Sequence, residues 1–253
     1  MKSNFRSAIP VSARERIKER YQNGQKKIAD CFINRKLVGR RFFAEEGYLD
    51  MEYGIQNGRM HGMMYTWSAP GKLHSAEPYK NGLAHGTALQ WSQRNEKIIG
   101  RYTMKHGTGI DLWWQDYPGK NHLSEVCYMK NGRPDGFEWW IRENEHAVWH
   151  ERHWKNGEFH GIERWWNMKT GTLDRKYPRY FISGKQVTKA EYIAACEKDP
   201  YLPLFRKEEN SPTRIFPSEI RKHLKRKATD NYFGASVDAR NSSGVKIGSG
   251  STR

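Results

Sequence analysis

Three times in this chain a carboxylate is followed two residues later by tryptophan: Asp111 and Trp113, Glu138 and Trp140, Glu163 and Trp165. In a β-strand, residues two apart share a face, so each pair would set an anion beside an indole. That combination suits a Lys or Arg side chain, which can pair with the carboxylate and lie over the ring. At equivalent positions of successive hairpins the pairs would stand about 10 Å apart, two strand spacings. We expect a ladder that grips a basic segment of a partner protein. The plainer arrangement is that the acids pair with Lys or Arg of the same sheet while the Trp rings pack together.

Other residue types that could do chemistry point elsewhere. In "HAVWHERH", His146, His150 and His153 lie close together. On a helix the first two would share a face as metal ligands, but on a strand His153 points away from them, and neither HExxH nor a Cys cluster accompanies them. No metal site is assigned. His61, His85 and His160 recur in a repeated hexapeptide and are expected to hydrogen-bond a turn. No nucleophile motif, Gly-rich phosphate loop or paired-acid site stands out, so no catalytic residue and no cofactor is expected. Near the C-terminus, Arg221, Lys222, Lys225, Arg226 and Lys227 form a cluster able to neutralise several phosphates. It is the nucleic-acid candidate, and it would equally suit an acidic protein surface or anionic lipid.

The elements that must position these residues come from a repeat. Asn-Gly-x-x-His-Gly occurs at 57–62, 81–86 and 156–161, with "NGRPDG" at 131–136 as a close variant. "MKHGTG" at 104–109 falls between them without its Asn-Gly. Five residues after the last Gly of each unit stand Trp67, Trp91, Trp114, Ile141 and Trp166. Asn-Gly between alternating runs is a strong hairpin signal, because both residues tolerate the positive φ of a type I′ turn. The second Gly is expected to let an aromatic ring cross the backbone. One hairpin is barely stable alone, so stacking neighbours must supply the buried area.

The Tyr-x-Asn-Gly-x-x-His-Gly run from Tyr79 to Gly86, with its copies, resembles the MORN repeat family, in particular a bacterial variant identified as an antitoxin component. The resemblance covers roughly residues 47–172. It implies an elongated antiparallel β-meander used for protein or lipid contacts, without catalysis of its own. Alternation then sorts the side chains. Met63, Tyr65, Trp67, Thr87, Leu89, Trp91, Ile110, Leu112, Trp114, Phe137, Trp139, Ile141, Ile162, Arg164 and Trp166 make a nearly apolar structural stripe. The three acid–Trp pairs fall on the opposite face.

Charge divides the rest. Residues 1–46 carry 12 Lys/Arg against 5 Asp/Glu, residues 47–172 carry 15 against 14, and residues 173–253 carry 17 against 9. All ten tryptophans lie in the neutral middle. The expected organisation is a basic N-terminal cap over 1–46, the hairpin repeats over 47–172, a C-terminal cap over 173–228 and a Gly/Ser-rich flexible tail over 229–253. "SARERIKERY" reads as a helix with Ser12 as N-cap and Glu15 in a capping box, leading into a worn hairpin over 38–47. "KYPRYFISGK" reads as another worn hairpin turning at Ser183-Gly184, and "TKAEYIAACEKD" as a helix capped by Thr188 and Glu191. "PSEIRKHLKRK" starts a short basic helix at Pro217. So the fold class is mainly β, with short helical caps at both ends.

Cys31, Cys127 and Cys196 have no metal-like spacing and read as reduced thiols. No signal core or membrane-length apolar run is present, which suggests a cytoplasmic protein. The function expected is a non-catalytic, antitoxin-like or defence-associated platform that binds a partner protein. The alternatives are a nucleic-acid binder working through the basic flanks and an anionic membrane binder.

Overall fold

The computed structural model describes residues 7–117 and 120–224. The chain divides into two units, Met1–Asn121 with Cys127–Pro134 and His122–Val126 with Asp135–Arg253. Both are built from antiparallel β-hairpins.

The first unit runs β1 (Arg14–Arg20), β2 (Lys26–Ile33), β3 (Lys36–Phe43), β4 (Leu49–Gln56), β5 (Arg59–Ala69) and β6 (Lys72–Lys80), then β7 (Leu83–Ala84), β8 (Gly86–Trp91), β9 (Ile98–Lys105) and β10 (Thr108–Tyr117). Each strand pairs with the next, save that β7 and β8 are one strand interrupted at His85, and both pair with β6. β11 (Lys120–Lys130) and β12 (Arg133–Ile141) contribute to both units. The second unit continues with β13 (Val148–Lys155), β14 (Glu158–Phe159), β15 (Gly161–Trp165), β16 (Arg179–Ile182) and β17 (Lys185–Val187). It ends in α1 (Lys189–Cys196), a 3₁₀ turn at Lys207–Asn210 and α2 (Ser218–Arg221). Among the described residues no helix is long and apolar enough to cross a membrane.

The N-terminal segment corrects the expected helix. Arg14–Arg20 is a strand, with every residue exposed. A helix there would have only Ile17 as an apolar residue and nothing to bury. The alternating Arg-Glu-Arg-Ile pattern instead pairs along β2. Among the described residues the short helices therefore lie at the C-terminal end alone. There Thr188 and Glu191 make the expected capping box, and Ser183-Gly184 turns β16 into β17 with φ of 46° and 76°. Thr188 accepts from the backbone of Glu191, while the Glu191 carboxylate accepts from the N–H of Thr188 at 2.7 Å.

The repeat is more regular than its letters. The left-handed turn residues open at Asn57, Asn81, His106, Asn131, Asn156 and Ser183, each followed by a positive-φ Gly. So "MKHGTG" does keep its turn, at His106-Gly107, two residues later than the motif alignment places it. The hairpin there is shortened because the two residues between turn and bulge are missing. Successive turns are sewn together. Gly82 N–H donates to Met60 O, Gly107 to Ala84 O, Gly132 to Gly107 O and Gly184 to Phe159 O, each at 2.8 Å.

In four of the five units the residue before the second Gly adds a side-chain stitch, accepting from the next turn's backbone N–H; the fifth, His61, does not make the turn bond expected of it, and its Nδ1 is buried without a hydrogen-bond partner. His85 Nδ1 takes the N–H of His106, Thr108 Oγ1 that of Asn131, Asp135 Oδ2 that of Asn156 and His160 Nδ1 that of Ser183. This explains why Asp135 can stand in for His. The expected ring is found at Gly161, where it is the His153 imidazole, whereas Gly86 and Gly109 face other atoms and Gly62 has nothing within 4 Å. A Cβ at Gly86, Gly109 or Gly161 would fall under 3 Å from Pro78, Met104 or His153 on the facing strand, and all three have positive φ.

Candidate functional site

The pairing of β12, β13 and β15 settles which side chains share a face in the second unit. Trp140 lies opposite His150, and His150 opposite Trp165. One step along, Glu138 lies opposite Arg152, and the same register carries Arg152 to Glu163. A bulge in the β12–β13 register falls at Trp149, so that Trp149 and His150, neighbours in sequence, both reach the Trp165 ring.

The opposite face is the structural stripe, and the C-terminal segment covers it. Ile162, Tyr180, Tyr192 and Leu202 form one buried cluster, with Ile182, Val187 and Phe205 packed against it. Trp139 meets Phe216 edge-on at 5.5 Å, and Trp166 donates its indole N–H to Asn210 O at 2.7 Å. Arg164, the one charge in that stripe, is 2 % exposed. It binds Glu151 at 2.6 Å and Glu209 at 3.2 Å, while Arg214 binds Glu151 at 2.7 Å. Burial pushes the Glu151 carboxyl up, but the two guanidiniums outweigh it and hold it at about 2.

On the uncovered side the acids already have a cation. Arg152 donates to Glu163 at 3.2 Å, lies 3.9 Å from Glu138 and rests over the Trp140 ring at 5.0 Å. It does what the acid–indole spacing invites, but from the strand between the two pairs. In this unit the arrangement is thus the plainer one, with both acids satisfied within the sheet. Glu138 also accepts from the Trp154 indole at 2.7 Å, and His150 Nε2 sits 3.0 Å from Glu163. Burial lowers the His150 pKa, so the ring is neutral at pH 7 and donates to Glu163 as an uncharged imidazole. Burial raises Glu163, yet the bonds from His150 and Arg152 win and hold it below the usual range. Around this centre Trp149 meets Trp165 edge-on at 5.1 Å, and Trp140 stacks on His150 at 4.7 Å. Trp140, Trp149, Trp154 and Trp165 are all half-buried.

In the first unit the third acid behaves differently. Glu77, Ala88, Tyr102 and Asp111 line up across β6, β8, β9 and β10. Among the described residues Asp111 has no ion pair; burial raises its carboxyl, against hydrogen bonds from Tyr102, Trp113 and the Leu112 backbone. One of its oxygens, Oδ1, is buried without a hydrogen-bond partner. Glu77, 9 % exposed, is pushed up to about 7 by burial and by Asp111. Trp113 lies near His74 and Tyr102, with ring centroids 6.1 and 6.5 Å away.

Sequence reasoning found the two acid–Trp rows of the second unit but missed Trp149, His150, Arg152 and Trp154, which complete them. Their signal was present as the alternation His150-x-Arg152-x-Trp154, read only as a histidine cluster. His150 and His153 face opposite sides: His153 meets Phe137 edge-on at 4.8 Å in the stripe. Among the described residues no group of three His, Cys, Asp or Glu could hold a metal ion. Of the C-terminal cations, Arg221 and Lys222 are exposed on and just after α2, while Lys225, Arg226 and Lys227 lie outside the described residues.

No family model, curated protein or solved structure matches the chain.

Proposed function

We propose that the chain is a non-catalytic, MORN-like platform that binds a partner protein on the uncovered face of its second unit. The observation that supports this is an asymmetry. One face of the β12–β15 hairpins is sealed by α1 and the segment around Phe216, whereas the other keeps four half-buried tryptophans around Arg152. Trp and Arg are enriched among the residues that dominate binding energy at protein interfaces, Trp through a large rigid ring and Arg through a planar, multiply donating guanidinium whose ordering is costly unless it is held beforehand. Here their geometry is fixed before a partner arrives. Glu138 and Glu163 hold Arg152, and His150 wedges between Trp140 and Trp165. Preorganisation of that kind lowers the cost of ordering side chains on binding.

Because Arg152 is already shared by both acids and the Trp154 indole and His150 bond them as well, the partner of this face is apolar or aromatic at its centre rather than basic. A basic side chain remains the ligand expected at Asp111 beside Trp113, where the carboxyl has no cation. A regulatory, antitoxin-like role suits a protein that acts by occupancy alone. The test uses the tagged full chain, nuclease-treated extract of the native host, and a Trp149→Ala variant whose thermal midpoint is checked first. One protein retained at near-equal amount by the wild type and lost by the variant supports the platform. Equal retention by both, or no retained protein, refutes it.

A further inference from the structure

The strand β1 carries Arg14, Arg16, Lys18 and Arg20 alternating with Glu15, Ile17 and Glu19, all exposed. The charges of this segment do not cancel, because its acids are bound elsewhere. Glu15 pairs with Lys26 at 2.8 Å and with Arg41 at 2.7 Å. Glu19 pairs with Lys27. Asp30 pairs with Arg40 at 2.6 Å, and Glu52 takes a second bond from Arg41 at 3.0 Å. Every one of these acids is held by a cation of β2 or β3, which leaves the cations of β1 without a counter-charge.

Arg14, Arg16, Lys18 and Arg20, together with Arg35 and Lys36 at the β2–β3 turn, make no ion pair among the described residues. The register places Arg14, opposite Phe32, beside that turn, and runs the other cations along the strand to Arg20, opposite Lys26. Arg16 rests over the Phe32 ring at 5.0 Å, which holds its guanidinium outward. Among the described strands β1 is also an outer one, paired only with β2.

We infer that this edge binds a nucleic-acid phosphate backbone, without reading sequence. Four unpaired cations within seven exposed residues can neutralise several phosphates of a flexible backbone while reading none of its bases. The register slips around Lys18 and before Arg20, so the four cations are not one evenly spaced row. An anionic bilayer fits less well, because Ile17 is the only apolar residue of β1 and no apolar face stands ready to enter the acyl region. The site shares no residue with the Trp face of the second unit, so either can fail without the other.

The experiment is anisotropy of a labelled mixed-sequence oligonucleotide, single-stranded and as its duplex, titrated with the full chain over a range of salt. The wild type should bind with log K falling linearly against log salt. Arg14→Gln/Arg16→Gln/Lys18→Gln/Arg20→Gln should flatten the single-strand slope by about 0.7 for each contact removed, roughly 3 in all. A second variant, Arg35→Asn/Lys36→Gln, should flatten it by about half as much. Arg221→Gln/Lys222→Gln should leave it unchanged. These six positions of the edge are exposed or half-buried, so folding is checked simply by an unaltered thermal midpoint. Failure of the wild type to bind either oligonucleotide overturns the inference, as does an unchanged slope in the β1 variant. Binding to phosphatidylserine vesicles in place of oligonucleotide overturns it equally.

Discussion

Replacing Glu77 by Gln should stabilise the protein above neutrality and do almost nothing in mild acid. Glu77 is pushed from 4.5 up to about 7, first by burial and then by the neighbouring Asp111. The folded state therefore holds a proton that the unfolded chain releases at lower pH. A raised carboxyl pKa contributes its full stability below pH 4.5 and loses it as pH rises through 7. The shift of about 2.5 units, at 1.36 kcal/mol each, corresponds to about 3 kcal/mol. Glutamine copies the protonated acid, keeps an acceptor for the Tyr79 hydroxyl, which donates to Glu77 at 3.4 Å, and cannot ionise. Urea midpoints followed by tryptophan fluorescence would be taken at about pH 4 and about pH 8.5 for wild type and Glu77→Gln. At the lower pH the two should agree within about 0.5 kcal/mol. At the higher pH the variant should be more stable by about 3 kcal/mol. A difference that is the same at both pH values would show that burial and Asp111 do not act on Glu77 as the geometry requires. Asp111→Asn offers an independent check: it should shrink the pH dependence of the wild type without abolishing it, since burial remains.

Other outcomes follow from single contacts. Gly100→Ala should unfold or strongly weaken the first unit, because its Cβ would be driven into the Trp114 ring; a loss above about 3 kcal/mol in chemical denaturation is expected. Arg214→Met leaves Glu151 buried with Arg164 as its remaining guanidinium and should cost about 3 to 5 kcal/mol at neutral pH. Because Glu151 is depressed to about 2 in the folded state, part of that penalty should fade as pH drops below 4.5, which a pH series of denaturation midpoints would reveal. Thr188→Ala breaks the capping box of α1 and should cost about 1 kcal/mol, seen as faster amide exchange in that helix.

Much of the architecture was legible because it is periodic. Asn-Gly needs a left-handed turn whatever surrounds it, and side chains two apart on a strand share a face, so hairpins and the buried row through Trp67, Trp114, Ile141 and Trp166 follow from local chemistry alone. The capping box at Thr188 and Glu191 is equally local, two bonds within four residues.

What the sequence could not decide was who neutralises whom. Arg152 reaches Glu138 and Glu163 because β13 lies between β12 and β15, a neighbourhood made by pairing rather than by spacing. Ser12–Arg20 has the letters of a capping box at Ser12 and Glu15 and helix-compatible charges, yet β2 offers Arg14–Arg20 a ladder and a helix would have offered it no core. Local pattern thus determined the turns and, in the second unit, the faces, whereas in β8 the row opposite to the expected stripe is the buried one, with Ala88 and Gln90 inside and Thr87 exposed. Tertiary pairing decided the charges, because an ion pair depends on distance through space and the chain brings distant strands within reach only when it folds.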